Sequence, residues 1–152
     1  MAHNLRKITD SAQSKRDPVN KNIEKFQDTK IIEQVGTGLV PLIENGKINS
    51  KEMSDLLELY IRPMVKSNID YLVLGCSHYP YLIPQIKKIL PQKIKIIDSG
   101  EAVAKQTKNV LNEKIGFNNN TKENNPTFYT NSNPKVLSEI LENKYTVFEK
   151  DF

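Results

Sequence analysis

Apolar residues fall in short, well separated groups, and their spacing alternates between the periods of a strand and of a helix. Ile31-Ile32-Glu33-Gln34-Val35 predicts a short strand. Gly36-Thr37-Gly38 separates it from a second apolar run, Leu39-Val40-Pro41-Leu42-Ile43, which ends at Glu44 and the turn dipeptide Asn45-Gly46. Met53, Leu56, Leu57, Tyr60, Ile61 and Met64 then keep helical spacing. Asn49 or Ser50 offers the N-cap, Glu52 follows Asn49 at capping-box distance, and Pro63 should kink or end the regular part. Tyr71-Leu72-Val73-Leu74 is continuously apolar, as in a strand buried on both faces of a parallel sheet. Leu82, Ile83, Ile86, Ile89 and Leu90 predict a helix that Pro80 or Pro84 can start and Pro91 stops. Ile94-Lys95-Ile96-Ile97 reads as a strand, and Asp98 or Ser99 caps a helix carrying Ala102, Val103, Val110 and Leu111. Residues 112–126 read as a surface loop. Thr127-Phe128-Tyr129-Thr130 and Tyr145-Thr146-Val147-Phe148 predict strands around a helix that starts at Asn133-Pro134 and carries Val136, Leu137, Ile140 and Leu141.

The first 29 residues are polar and weakly periodic. Thr9, Asp10 or Ser11 offers a cap for a short helix there, and Pro18 can begin another through Phe26. Part of this segment is expected to be mobile. Strands alternating with helices elsewhere argue for an α/β layered fold.

Composition narrows the picture. The 152 residues suit one domain or two small lobes. Apolar residues make up 38% and mean hydropathy is −0.53, so a core must come from the short runs above. The net charge of +4 is mild. Near the N-terminus Arg6, Lys7, Lys15 and Arg16 are interleaved with Asp10 and Asp17, and no Lys/Arg block with aromatics follows, so no nucleic-acid partner is expected. No apolar run approaches the length of a bilayer span, and no apolar signal core follows Met1, so neither a membrane nor secretion is expected. Asn119-Asn120-Thr121 accordingly reads as a polar loop rather than a glycosylation site. The single cysteine excludes an intrachain disulfide and points to a reducing cytoplasm.

That cysteine is the chemical centre. Cys76 and His78 follow the buried strand at Gly75, where open α/β sheets place ligands. Backbone N–H groups at the start of a following helix favour a thiolate or a substrate carboxylate, and an imidazole exchanges protons near neutrality. Taken alone, Cys76 also reads as a small buried apolar residue, His78 as a satisfied polar one, and Glu44 as a surface carboxylate before a turn. No metal site is expected, because Cys76 and His78 are two ligands and the other histidine is His3.

Leu72-Val73-Leu74-Gly75-Cys76-Ser77-His78-Tyr79-Pro80 strongly resembles the second cysteine motif of the glutamate racemases, in the aspartate/glutamate racemase superfamily. Ser77 stands where that family usually has Thr. Gly38-Leu39-Val40-Pro41-Leu42-Ile43-Glu44 is similar to the family's segment ending in an acidic residue. The resemblance covers roughly residues 30–150. It implies an incomplete layered parallel-sheet lobe of that type, with residues 1–93 as the second lobe lacking its first strand and 94–152 as a tail returning to the first lobe. It also implies cofactor-independent interconversion of L- and D-glutamate for peptidoglycan supply. Cys76 would be one of two opposed bases, acting on the L enantiomer; His78 would assist it, Glu44 would orient His78, and Ser77 would bind substrate. Planar carbanion character at Cα allows reprotonation from either side.

The chain departs from the family pattern in having no other cysteine, including none near Gly36, where the family often has one. Ile96-Ile97-Asp98-Ser99-Gly100 looks superficially like the family's early Asp-Ser-Gly motif but reads as a strand-to-helix turn. The expectation is a chain inactive by itself, which is a fragment or needs a partner supplying the missing half; uncovered apolar surface and sheet edges also make a homodimer an expected outcome. Two alternatives stand beside it: an inactive racemase-derived lobe acting in binding or assembly, and a Cys-His hydrolase or transferase.

Overall fold

A computed structural model describes residues 3–9, 29–116 and 125–152. The chain divides into two compact units, Met1–Ile43 with Lys47–Glu101, and Glu44–Gly46 with Ala102–Phe152.

The first unit is built on a sheet of four parallel strands: β1 (His3–Thr9), β2 (Thr29–Val35), β3 (Tyr71–Leu74) and β4 (Lys95–Ile97), in the order β2-β1-β3-β4. Leu5 pairs with Ile31 on one side and Tyr71 on the other, and Leu72 pairs with Ile96. All four strands therefore end at the same edge. The pattern predicts no strand before residue 31, yet β1 sits inside the sheet. Its sequence, His3-Asn4-Leu5-Arg6-Lys7-Ile8-Thr9, offers little periodicity, so pairing on both sides overrides a weak local preference. Residues 10–28, with the two short helices and the mobility expected within the first 29 residues, and the residues of the sequon lie outside the described residues.

Helix α1 (Leu39–Glu44) occupies the second apolar run. Gly38, at φ +86°, turns the chain into it, and Leu39, Leu42 and Ile43 are buried on one face. Helix α2 (Lys51–Lys66) starts where Ser50 Oγ accepts from the Met53 N–H at 3.1 Å. Ser50 is thus the cap, and the residue at the capping-box position is Met53; Glu52 instead favours the positive helix end. Pro63 does not end the helix. Both Pro63 and Leu59, whose carbonyl loses its usual N–H partner, lie on the exposed face of the helix. A 3-10 turn (Tyr79–Leu82) leads into α3 (Ile83–Ile89). Met53, Leu57, Ile61 and Met64 from α2, Leu82 and Ile86, and Ile8, Leu39, Ile43 and Leu72 form the core. Each such side chain contributes roughly 1.5–3 kcal/mol by leaving water.

Helix α4 (Gly100–Ile115) begins where Asp98 Oδ1 accepts from the Gly100 N–H at 2.8 Å, and it runs past the loop predicted from residue 112. β5 (Thr127–Thr130), α5 (Pro134–Ile140) and β6 (Thr146–Glu149) follow as a strand-helix-strand unit with the two strands parallel. Asn133 Oδ1 caps α5 through the Lys135 N–H, with Pro134 in its first turn, as the sequence predicts.

Candidate active site

The site grows from the end of β3. The Gly75 N–H still donates to the Ile8 carbonyl at 2.9 Å, so the sheet fixes the chain up to that point. Cys76-Ser77-His78 then turns away. The Cys76 carbonyl accepts from the Tyr79 N–H at 3.2 Å, and the His78 carbonyl accepts from the Tyr81 N–H at 3.2 Å. This short turn carries Cys76 at the carboxyl end of an interior strand, flanked by β1 and β4.

Cys76 is 6% exposed, His78 is half-buried and Ser77 is exposed. The imidazole faces the thiol, with Cys76 Sγ 3.8 Å from His78 Nδ1. Ser77 Oγ lies 3.5 Å from the same nitrogen. Both distances are long for hydrogen bonds, and the direction of donation depends on the tautomer. The arrangement can pass a proton between sulfur and imidazole with a small adjustment of the ring. The sulfur is enclosed, but a titratable ring rather than hydrocarbon alone is beside it.

Two tyrosines brace the loop after β2. Tyr79 is buried, and its hydroxyl donates to the Gly36 carbonyl at 3.2 Å. The Tyr60 hydroxyl, projecting from α2, donates to the Thr37 carbonyl at 2.8 Å. Gly36 has no space for a side chain: a Cβ there would lie 2.6 Å from Tyr79 Oη. Sequence patterning marks Tyr60 only as a core position of α2 and Tyr79 only as part of the cysteine motif. The available signal was chemical, since a buried tyrosine needs a partner for its hydroxyl.

Cys76, Ser77 and His78 are therefore brought together on one turn. Glu44 is exposed at the last position of α1 and falls in the second unit. An open groove of about 510 Å3 runs along α3 and β4, lined by Ile83, Lys87, Leu90, Ile94, Ile96 and Asp98; it does not include Cys76. Among the described residues no group of three or more His, Cys, Asp or Glu is placed to hold a metal ion. No helix among them is long and apolar enough to cross a membrane.

A cysteine-histidine turn at the carboxyl edge of a parallel sheet is the arrangement expected of the aspartate/glutamate racemase type, and comparison with known proteins agrees. No family model matches the chain. The glutamate racemase of Prochlorococcus marinus (strain NATL2A) is 35% identical over 130 residues, which is 85% of this chain and 49% of that protein. That of Ralstonia pickettii (strain 12J) is 47% identical over 78 residues, 51% of this chain and 28% of that protein. The crystal structure of the Francisella tularensis glutamate racemase in complex with D-glutamate superposes with a TM-score of 0.76 at 22% identity, covering 99% of this chain and 57% of that one. The Escherichia coli glutamate racemase, solved with L-glutamate and the activator UDP-MurNAc-ala, superposes at 0.74 with 21% identity, covering 97% and 57%. The structural likenesses establish a shared fold. The chain is a homologue of the glutamate racemases and spans about half the length of the curated relatives it matches.

Proposed function

We propose that this chain is the part of a glutamate racemase that carries one of two opposed proton-transfer residues, and that Cys76 is that residue. The observation that carries the proposal is the Cys76–His78 pair, 3.8 Å apart at the carboxyl edge of the sheet. In the proposed cycle the Cys76 thiolate takes the α-proton of glutamate and becomes a thiol, leaving carbanion character at Cα. A second acid on the opposite face delivers a proton, and the configuration inverts. No pyridine cofactor enters this cycle. His78 assists proton movement at the sulfur, the exposed hydroxyl of Ser77 binds substrate, and Glu44 orients His78. The solved racemases that contain D- or L-glutamate support glutamate as the substrate class.

The sequence contains one cysteine, so the opposite acid comes from residues that this sequence does not include or from a second polypeptide, whether a partner with the missing half or another copy. Residues 1–93 then serve as one lobe and residues 94–152 as a tail that completes the other. D-Glutamate made in this way would feed peptidoglycan synthesis, which places the work in the cytoplasm. Homology to racemases favours this reading over a nucleophilic hydrolase and over a lobe that acts only in binding.

The test measures wash-in of solvent deuterium at the α-position of glutamate, together with inversion, before and after the complementary racemase half is added. Inversion should require the added half and should be lost in Cys76→Ser. Inversion that survives Cys76→Ser, or that never appears with the complementary half bound, would refute the proposal.

A further inference from the structure

Tyr79 directly follows His78 and carries a hydroxyl that the proposed proton transfer does not use. Its ring is buried, and the hydroxyl donates to the carbonyl of Gly36, 43 residues back in the chain, at 3.2 Å. A phenylalanine would fill the same space with no polar atom to satisfy, so packing alone does not call for the hydroxyl. What the hydroxyl adds is direction. An O–H···O bond fixes the place of a ring that apolar contacts alone would let slide.

The carbonyl that receives this bond is itself held. It also accepts from the N–H of buried Leu39 at 3.3 Å, at the start of α1. Gly36 follows Val35, the last residue of β2, which is paired with Thr9 of β1. The other end of the cysteine turn is tied to the same interior strand, where the Gly75 N–H donates to the Ile8 carbonyl at 2.9 Å. Ile8 also lies under the Tyr79 anchor, since a Cβ on Gly36 would meet Tyr79 Oη at 2.6 Å and Ile8 Cγ2 at 3.0 Å. Cys76-Ser77-His78 is thus held at both ends against one residue of β1. Between these anchors Cys76 Sγ and His78 Nδ1 stand 3.8 Å apart, at the limit of contact. A small outward shift at the Tyr79 end moves the His78–Tyr79 peptide, and with it the ring, out of reach of the sulfur.

We propose that Tyr79 is a positioning residue for the Cys76–His78 pair: its hydroxyl, bonded to the Gly36 carbonyl, fixes the backbone behind His78 and holds the imidazole against the thiol. Tyr79 acts through His78 and touches neither the substrate nor the moving proton. Tyr60 marks the contrast. Its hydroxyl donates to the next carbonyl of the same loop, that of Thr37, at 2.8 Å, but it projects from α2 and braces the loop alone. The use of the held pair, proton transfer in racemisation, rests on the reading above; the positioning itself does not.

The test reads the imidazole directly, by the 15N chemical shift of His78 Nδ1 at a fixed neutral pH in the full 152-residue chain; the sequence holds two histidines, and His78→Gln identifies the signal. Cys76→Ser should move that signal, because the sulfur is the neighbour of the ring. In a Tyr79→Phe background the same substitution should move it by roughly half as much or less. Gly36→Ala, which displaces the hydroxyl from the other side, should reproduce that loss if Tyr79→Phe fails to fold. Tyr60→Phe, which also removes one phenol-to-carbonyl bond from the loop, should leave the response at full size. The inference is overturned if the response is absent in the parent, if it survives undiminished in Tyr79→Phe or Gly36→Ala, or if Tyr60→Phe weakens it equally. With the complementary racemase half added, Tyr79→Phe should lower kcat by roughly tenfold and leave KM unchanged, and an unchanged kcat would also overturn it. If the parent with that half does not racemise glutamate, the proposed function falls and the Nδ1 signal still decides the positioning.

Discussion

Gly36→Ala should be among the most damaging small substitutions in the chain, because of a hydroxyl rather than a backbone angle. The added methyl would lie 2.6 Å from Tyr79 Oη, 2.8 Å from Leu39 Cδ1 and 3.0 Å from Ile8 Cγ2. Tyr79 is 1% exposed and cannot swing into solvent, and Ile8 and Leu39 are equally enclosed. Forcing a methyl group into such a site costs about 1–3 kcal/mol. Tyr79→Phe removes the hydroxyl and its bond to the Gly36 carbonyl. That carbonyl also accepts from the Leu39 N–H at 3.3 Å, so it is not orphaned, and the loss should be only about 0.5–1.5 kcal/mol. With the hydroxyl gone, the alanine loses its worst clash. The double variant should therefore be more stable than the sum of the single effects implies, by about 1 kcal/mol. Urea unfolding of the four proteins measures this directly, with the midpoint moving and the slope held. Strict additivity, or a Gly36→Ala chain within about 0.5 kcal/mol of the parent, would refute the reasoning.

Leu57→Ala, at a buried core position, should lose about 2–5 kcal/mol in thermal or urea unfolding, whereas Leu59→Ala on the exposed face should change stability by under about 0.5 kcal/mol. Ser50→Ala removes the side-chain cap of α2 and should cost about 1 kcal/mol by the same assay. Gly38→Ala and Gly116→Ala both place alanine at a positive φ, at a backbone cost of about 1–2 kcal/mol, but only Gly38→Ala also meets Leu56 Cδ1 at 3.2 Å, so it should be the worse of the two. Mass spectrometry after brief alkylation should find the folded chain modified at Cys76 far more slowly than the urea-unfolded chain, since the sulfur is enclosed; equal rates would contradict its burial.

Where hydrophobic spacing was dense, the elements could be read from it. Met53 through Met64 gave α2, Tyr71–Leu74 gave the buried strand, and Thr127–Thr130 with Tyr145–Phe148 gave the two late strands within a residue or so. β1 was not legible, because a strand held by neighbours on both sides needs little apolar pattern of its own. Pro63 does not stop the helix, which runs one turn on to Lys66: of the two outcomes its missing N–H allows, an end at Pro63 is not the one that occurs. The Cys76–His78 turn was legible as a motif at a strand end. The Tyr79–Gly36 bond was not, since it joins residues far apart in the chain and depends on how two loops stack after folding.

The place of β1 in the sheet also bears on how the chain folds and how it can be shortened. A strand at the rim of a sheet can be trimmed and leaves its neighbours paired. β1 lies between β2 and β3, which do not pair with each other. Removing residues through Thr9 would split the sheet into a lone strand and a pair. It also means that the earliest strand must wait for Tyr71–Leu74 before its second side is matched. Assembly then depends on closing a long stretch of chain, which favours slow, late consolidation over hairpin-like zipping.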